Sequence, residues 1–332
     1  MRKDLFIFND GELSRKENTL LFKNFSEDKK KFVPINELDN IYVFGELDLN
    51  KRVLEFLSQK KVCVHFFNYY GYYSGSYYPR EHLNSGYILL KQCEYYTDNE
   101  KRINIAKKII IAAIENILQN IKYYNKKNKE FEDDIFYIQK NIEKIKSIDS
   151  INVLMAIEGN TREYYYKCFN KIIEDKEFYF ENRTKRPPKD KINSLISFGN
   201  SLMYSFVLSE IYKTHLDPRI GYLHSTNERR FTLNLDIAEI FKPVIVDRII
   251  FSLINKKMLD NSCFLKEFEG VLLNEKGRKI FLEQFNKKIL TVIKHPKLKK
   301  EVSYKRIVRM ELYKLSKHIT EDEEYSGFVG GW

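Results

Sequence analysis

What the chain does without narrows its chemistry first. None of the four cysteines (Cys63, Cys93, Cys168 and Cys263) belongs to a CxxC pair, which excludes a zinc ribbon and a disulfide framework and predicts reduced thiols. No apolar run approaches the ~18 residues a bilayer-spanning helix requires, and the stretch IIIAAI at 109–114 falls well short. The N-terminal MRKDLFIFNDG has no long apolar segment leading to a small-residue cleavage site, so no secretory signal is expected. Neither GxxxxGKS/T nor GxGxxG occurs, which argues against ATP-driven chemistry. The HExxH and paired-histidine spacings of familiar catalytic zinc sites are also missing. No internal repeat is visible. These absences lead to the expectation of a soluble, cytoplasmic protein with no membrane partner.

What is present is length and positive charge. The 332 residues suffice for two domains, and a 43% hydrophobic content is that of a globular chain. Lys and Arg outnumber Asp and Glu by 57 to 46, a net charge of +11 that favours a polyanionic partner. A coding bias toward Lys, Asn and Ile accounts for abundant lysine but not for its clustering. Between Lys287 and Lys317 eleven basic residues face only Glu301 and Glu311, a local net of +9. The acidic run Glu321-Asp322-Glu323-Glu324 follows at once, positioned to fold back on a basic face or to meet a partner.

Residues 1–84 read as a small β-rich domain. LFIFNDGEL, TLLFKN, FVPI and NIYVFGEL are apolar or alternating pieces separated by Asn-Asp-Gly, Pro and Gly turn signals. One amphipathic helix fits LNKRVLEFLSQKK, KVCVHFF reads as a buried strand, and YYGYYSGSYYP is an aromatic ribbon. A Tyr-rich pair of strands is more often a packing or dimer surface than a platform for bases. From residue 85 the period becomes helical. Ile103, Ala106, Ile110, Ile114, Ile117 and Ile121 mark a long helix, and Ile135, Ile138, Ile142 and Ile145 its antiparallel partner. A further helix is expected to start at Asp149-Ser150, and helix continues, with loops, to about residue 320. The predicted fold is α+β: a β-sandwich-like domain over 1–84, an all-α catalytic domain over 85–320, and a flexible acidic tail over 321–332.

Four residues carry the chemical signal. Asp236 and Glu239 stand at i, i+3 within NLDIAEIFKP, so both carboxylates project from one helical face. A solvated acidic face is the usual fate of such a pair, but the apolar neighbours place this helix in the interior, where acids need a partner. Glu158 interrupts the apolar run INVLMAIEGN. It is either a ligand or the i, i+4 ion-pair partner of Arg162, and the adjacent Gly159, unfavourable in a helix by about 1 kcal/mol, suggests a close approach. His224 lies in the loop DPRIGYLHSTNERR. A histidine with two or three carboxylates suits Mg²⁺ or Mn²⁺, the imidazole tilting the preference toward Mn²⁺. Arg183, Lys185, Arg186, Lys189 and Arg219, together with Lys305, Arg306 and Arg309 of the basic C-terminal stretch, are candidates for phosphate contacts, and Arg162 is counted with them.

In this order the motifs resemble the CRISPR-associated adaptation integrase family, "Cas one", over nearly the whole chain. IFNDGELSRKENTLLF and VPINELDNIYVFGELDLN resemble that family's N-terminal β-domain, and NYYGYYSGSYYP its domain-closing ribbon. IEGNTREYYY, DPRIGYLH and LNLDIAEIFKPVIVDR resemble its ligand-bearing segments, RPPKDKINSLISFGNSLMYS its central loop and helix, and YKRIVRMELYKLSKHI its C-terminal basic helix. Two departures are visible: Asn200 where Tyr is usual, and Lys242 where Arg precedes the proline. Neither is expected to touch the candidate ligands.

The resemblance implies that Glu158, His224 and Glu239 are the catalytic metal ligands, with Asp236 supporting or joining them. It implies a homodimer through the β-domains, two such dimers bridged by a "Cas two" dimer, and double-stranded DNA as substrate. The implied reaction joins the 3′-hydroxyl of a short DNA fragment to a CRISPR repeat by metal-assisted transesterification, the step of spacer acquisition. With water in place of the hydroxyl, the same site is a metal-dependent endonuclease. If Glu158 only pairs with Arg162, the chain is a non-catalytic DNA-binding scaffold.

Overall fold

Nine segments of the first 84 residues form two four-stranded sheets and one helix. They are β1 (Lys3–Ile7), β2 (Gly11–Lys16), β3 (Thr19–Asn24), β4 (Lys30–Pro34), β5 (Leu38–Val43), β6 (Leu47–Leu49), α1 (Lys51–Lys60), β7 (Cys63–Phe67) and β8 (Tyr73–Tyr77). The computed structural model describes residues 2–331 apart from 28, 80–82, 128–129, 227–230, 268–269 and 296–297, and divides into two compact units, 1–84 and 85–332. His82, Lys297 and the 227–230 end of the His224 loop thus lie outside the described residues.

In the first unit one sheet has the order β1-β5-β7-β8 and the other β4-β3-β2-β6. β1, β5 and β7 run parallel, and β5 is buried along all six residues, as a strand covered on both faces should be. β2, β3 and β4 form an antiparallel meander that buries alternate residues, Leu13 and Leu20 among them. Those two leucines share one core with Ile41, Val64 and the α1 residues Val53 and Leu57. The Asn50 side chain caps α1 by accepting from Val53 N at 3.1 Å. In the aromatic ribbon Tyr77 donates to Leu54 O at 3.0 Å and His65 Nδ1 meets Ser76 Oγ at 2.7 Å, so these side chains pack, while Tyr69 and Tyr70 stay exposed.

The second unit contains α2 (Gly86–Thr97), α3 (Asn99–Asn125), α4 (Glu132–Lys146), α5 (Ile151–Ile172), α6 (Lys191–Ile211), α7 (Leu233–Phe241), α8 (Arg248–Asn255), β9 (Phe264–Glu267), β10 (Gly270–Leu273), α9 (Glu275–Leu290), β11 (Val292–Lys294), β12 (Glu301–Ser303) and α10 (Tyr304–Ile319). The short antiparallel ribbons β9–β10 and β11–β12 occupy stretches whose spacing had suggested helix. Ser150 precedes α5 without the side-chain cap expected of it.

α7 packs against both α3 and α6, and its far end sets the geometry of the interior. Pro243 has no N–H, so the helix cannot continue its regular ladder. Residues Pro243–Asp247 form a π-helical turn in which Asp247 N donates to Lys242 O at 3.0 Å. Two buried asparagines of α3 serve the carbonyls this irregularity leaves over. Asn116 donates to Ile240 O at 3.0 Å and Asn120 to Pro243 O at 2.8 Å. Gly199 of α6 permits the close crossing, because a Cβ there would stand 2.5 Å from Val246 Cγ1 and 2.8 Å from Phe281 Cζ.

The C-terminal segment is seated rather than loose, which corrects the expectation of a flexible tail. Tyr325 and Phe328 are buried, and Tyr325 donates to Glu311 at 2.7 Å. Gly330 N donates to Asn116 Oδ1 at 2.8 Å. The acidic run does fold back on basic residues, with Glu324 2.7 Å from Lys108 and Glu323 3.0 Å from Lys317. Among the described residues no helix is long and apolar enough to cross a membrane.

Candidate functional site

His224 is positioned from below by Asp236. The loop that carries it is tied to α2 and α3, with Asp217 N donating to Gln92 at 2.7 Å and Arg102 donating to Tyr222 O at 2.9 Å. Asp236, in the first turn of α7, accepts from the backbone N–H groups of Tyr222 (2.5 Å), Leu223 (3.0 Å) and His224 (3.0 Å). Its Oδ1 also lies 2.7 Å from His224 Nδ1. Gly221 makes this wrap possible, because a Cβ there would lie 2.8 Å from Asp236 Oδ2. With Nδ1–H donating to Asp236, the lone pair of Nε2 is left for another partner. Burial opposes protonation of the imidazole, but the Asp236 carboxylate outweighs it and raises the pKa above the ordinary value.

One turn further along α7, Glu239 faces a different neighbourhood. It is 5% exposed and lies 2.7 Å from Arg162 Nη2, and its other oxygen is ion-paired with Lys242. Burial would raise its pKa, yet the charges of Lys242 and Arg162 hold it down to about 2. Lys242 is itself buried, with the Tyr204 hydroxyl 2.7 Å away and the Tyr204 ring at 4.6 Å. Arg162 Nη2 also reaches Glu239 O at 3.4 Å, the carbonyl whose regular helical donor would have been the absent N–H of Pro243.

Glu158 lies one turn before Arg162 on α5, 3.5 Å from its Nε. The ion pair anticipated from the i, i+4 spacing therefore exists, but Arg162 is shared and stands closer to Glu239. Burial and then the charge of Glu239 raise the Glu158 pKa. Two sequence expectations change here. Val153 and Met155 of the apolar run are exposed, so Glu158 sits at the rim of the interior with a fifth of its side chain accessible. A Cβ built on Gly159 meets nothing within 4 Å, so no close approach explains this glycine.

The structure brings Glu158 and Glu239 together on Arg162, at 3.5 and 2.7 Å, and ties His224 to Asp236, one turn before Glu239. It separates Asp236 from Glu239: despite the i, i+3 spacing, one serves the His224 loop and the other the α5 cation. Among the described residues no three His, Cys, Asp or Glu side chains stand in metal-coordinating geometry, and Arg162 and Lys242 pair with the carboxylates. The donor chemistry nonetheless fits a hard divalent cation. Two carboxylates that share Arg162 and one imidazole held from behind by Asp236 supply oxygen and nitrogen donors, and Glu158 and His224 are partly open to solvent.

Lys242 contradicts the expectation that it stands clear of the candidate ligands: it is the ion-pair partner of Glu239. Asp247, 1% exposed in the π turn, was not singled out, although an acid closing the apolar run PVIVD is the same signal that drew attention to Glu158. Burial raises its pKa to about 7.

The basic candidates divide by how they are used. Arg183 donates to Asn193 at 2.7 Å and to Ser197 at 3.0 Å, and so shapes its own loop. Lys185, Arg186 and Lys189 on that loop are exposed. Partial desolvation lowers the Lys185 pKa, with Arg183 and Lys242 adding to the effect and the charges of Glu158 and Glu239 opposing it. Arg219 is exposed but held by Asp217 at 2.5 Å. On α10 Arg306 is exposed, Lys305 is 6% exposed, and Arg309 pairs with the buried Glu210 at 2.6 Å. The inward helical face thus takes Lys305 away from the solvent, and Glu210 engages the half-buried Arg309. Arg162 is buried among acids and is no surface contact.

Comparison with known proteins places this geometry. The CRISPR-associated endonuclease Cas1 2 of Thermodesulfovibrio yellowstonii is 53% identical over 332 residues, covering 100% of both chains. The CRISPR-associated endonuclease Cas1 of Thermotoga maritima is 45% identical over 323 residues, covering 97% of this chain and 98% of its own. The solved structure of a Cas1 protein from Thermotoga maritima superposes with a TM-score of 0.88 at 42% identity, covering 99% of this chain and 100% of the other. A casposase bound to its integration product shares the fold, with a TM-score of 0.87 at 22% identity over 98% of this chain and 93% of the casposase. The family model described as CRISPR associated protein Cas1 matches residues 5–287, and the chain belongs to that family.

Proposed function

We propose that this chain is a divalent-metal-dependent DNA integrase of CRISPR adaptation, with Glu158, His224 and Glu239 as ligands of Mg²⁺ or Mn²⁺ and Asp236 as the residue that orients His224. The observation that carries this reading is that Glu158 and Glu239 share Arg162, at 3.5 and 2.7 Å, while Asp236, one turn before Glu239 on the same helix, holds the His224 ring. When bound, the cation polarises the phosphoryl oxygen and lowers the pKa of the attacking 3′-hydroxyl. The protein supplies placement. Asp236 takes the Nδ1–H of His224 and so aims Nε2 away from itself, α5 and α7 set Glu158 against Glu239, and the loop lysines and arginine hold phosphates beside them. One phosphodiester replaces another, so no nucleotide hydrolysis is required, in keeping with the absence of a nucleotide-binding loop.

The partners follow the same reading: double-stranded DNA, a second copy of this chain through the β-rich unit, and a Cas2 dimer. Solved complexes of a fused Cas1 with Cas2, and the casposase with its integration product, are the assemblies in which this fold has been seen. The endonuclease names of the relatives favour hydrolysis as the second activity of the same site.

The deciding experiment incubates the purified chain with its Cas2 partner, Mn²⁺, short duplexes and a repeat-bearing plasmid. Joined product is expected from the unaltered chain and none from Glu158→Ala, His224→Ala or Glu239→Ala. Cleavage without joining would assign the site to hydrolysis. Mn²⁺ binding that survives both Glu158→Ala and His224→Ala would remove the ligand assignment.

A further inference from the structure

Arg162 is surrounded by more acid than it pairs with. Its Nη2 lies 2.7 Å from Glu239, its Nε 3.5 Å from Glu158, and its Nη1 3.9 Å from Asp247. Arg162 Nη1 is buried without a hydrogen-bond partner, and the buried Asp247 carboxyl, whose neighbour is the Tyr165 hydroxyl, stops short of it. A buried donor left unused is unfavourable, and the remaining gap exceeds hydrogen-bond length by only about 1 Å. The two elements that meet here also carry the proposed ligands. Asp247 closes the π turn that begins four residues after Glu239, and Arg162 sits one helical turn after Glu158.

We infer that Asp247 is a positioning residue that receives Arg162 when Glu158 and Glu239 take up a divalent cation. The inference rests on the metal reading proposed above. A cation held by Glu158 and Glu239 repels a guanidinium whose nitrogen is 2.7 Å from one of the same oxygens, so Arg162 must withdraw from Glu239. The route is short: α5 fixes the Cα, the side chain is 9% exposed, and the unused Nη1 already lies 3.9 Å from Asp247 Oδ2. Closing that gap gives Arg162 a charge-assisted bond to Asp247 Oδ2 in place of the one it gives up. Lys242 has a corresponding second partner in the Tyr204 hydroxyl, already 2.7 Å away. The proposed ligand carboxylates thus hold Arg162 and Lys242 as ion-pair partners, and Asp247 is where Arg162 goes.

The test is a double-mutant cycle read by Mn²⁺ binding, with free Mn²⁺ followed by electron paramagnetic resonance and the full chain as the sample. Asp247→Asn keeps the shape and removes the charge. It is expected to fold, with a melting temperature at or above that of the parent in the absence of metal, and to bind Mn²⁺ at least tenfold more weakly. In an Arg162→Met background the same Asp247→Asn change is expected to have little effect, because no guanidinium remains to be received. Should Arg162→Met not fold, Arg162→Lys takes its place, since a single ammonium lacks the second arm that reaches Asp247. Unchanged Mn²⁺ affinity in Asp247→Asn overturns the inference. So does an equal loss in both backgrounds, which would make Asp247 a general negative charge near the site. Failure of the unaltered chain to bind Mn²⁺ removes the metal reading itself, whereas normal binding with an unaffected Asp247→Asn removes only the role of Asp247.

Discussion

Glu239 illustrates how a proposed ligand can also be a structural ion. In many metal sites, deleting a carboxylate relieves like-charge repulsion and stabilises the empty protein. Here Glu239 lies between two buried cations, so Glu239→Gln leaves Arg162 and Lys242 uncompensated and should destabilise the metal-free protein by about 3–5 kcal/mol in chemical denaturation. The pH dependence has a definite sign. Because the folded pKa of about 2 lies below the ordinary 4.5, the contribution of Glu239 is fully present above about pH 4.5 and is lost as pH falls toward 2. An acid titration of stability should therefore be flatter for Glu239→Gln than for the parent over that window. Asp236 makes a complementary case. Its carboxylate is fully engaged by three N–H groups and the imidazole, so Asp236→Asn is expected to weaken Mn²⁺ binding about 10- to 100-fold by releasing His224. Equal Mn²⁺ affinity in a direct titration would show that the His224 ring needs no orienting partner. These residues were readable from the chain as acids among apolar neighbours. Their division of labour was not, because i, i+3 spacing fixes a shared face but not which neighbour each carboxylate turns to.

At the level of elements, long periodic helices were legible and short irregular ones were not. The isoleucine spacing gave α3 and α4, whereas β9–β10 and β11–β12 are too short to show a period of their own. Pro243 announced an interruption, but the π turn and the carbonyls it frees depend on Asn116 and Asn120, more than 100 residues away in sequence. The C-terminal segment looked disordered because its glycines and acids dominate its composition, while Tyr325 and Phe328 fill the core. Gly159 shows the same limit from the other side. Glycine within a helix suggested a close approach, yet nothing lies near it within the chain. Gly159→Ala should stabilise α5 by about 0.5–1 kcal/mol, measured by thermal or urea unfolding. If stability rises while DNA joining falls, the approach that requires glycine is made by the nucleic acid. If joining is unaffected, Gly159 is a tolerated weakness on the exposed face of α5.

Over the whole molecule the excess of +11 is less available than the sequence suggests. Lys213 and Arg309 are bound to Glu210, Lys108 and Lys317 to the acidic run, and Arg183 to its own loop. Basic clustering therefore pointed to a polyanion but could not say which charges remain free, since that depends on contacts made after folding. The loop residues Lys185, Arg186 and Lys189 are exposed, the charges of Glu158 and Glu239 act on Lys185, and the three carry the clearest expectation. Each phosphate contact releases condensed counterions and contributes about 0.9 to the slope of log affinity against log salt on duplex DNA. Replacing all three by alanine should weaken duplex binding at low salt and reduce that slope by up to about 3, with the melting temperature unchanged because none of the three side chains is buried. Arg183→Ala is the contrast. It removes hydrogen bonds to Asn193 and Ser197, so it should lower stability by about 1–3 kcal/mol and disturb binding only through the shape of the loop. Fluorescence anisotropy across a salt series separates the two. A slope that is unchanged in the triple variant would assign the loop to packing and move the phosphate contacts elsewhere, Arg306 of α10 being the next exposed cation to replace.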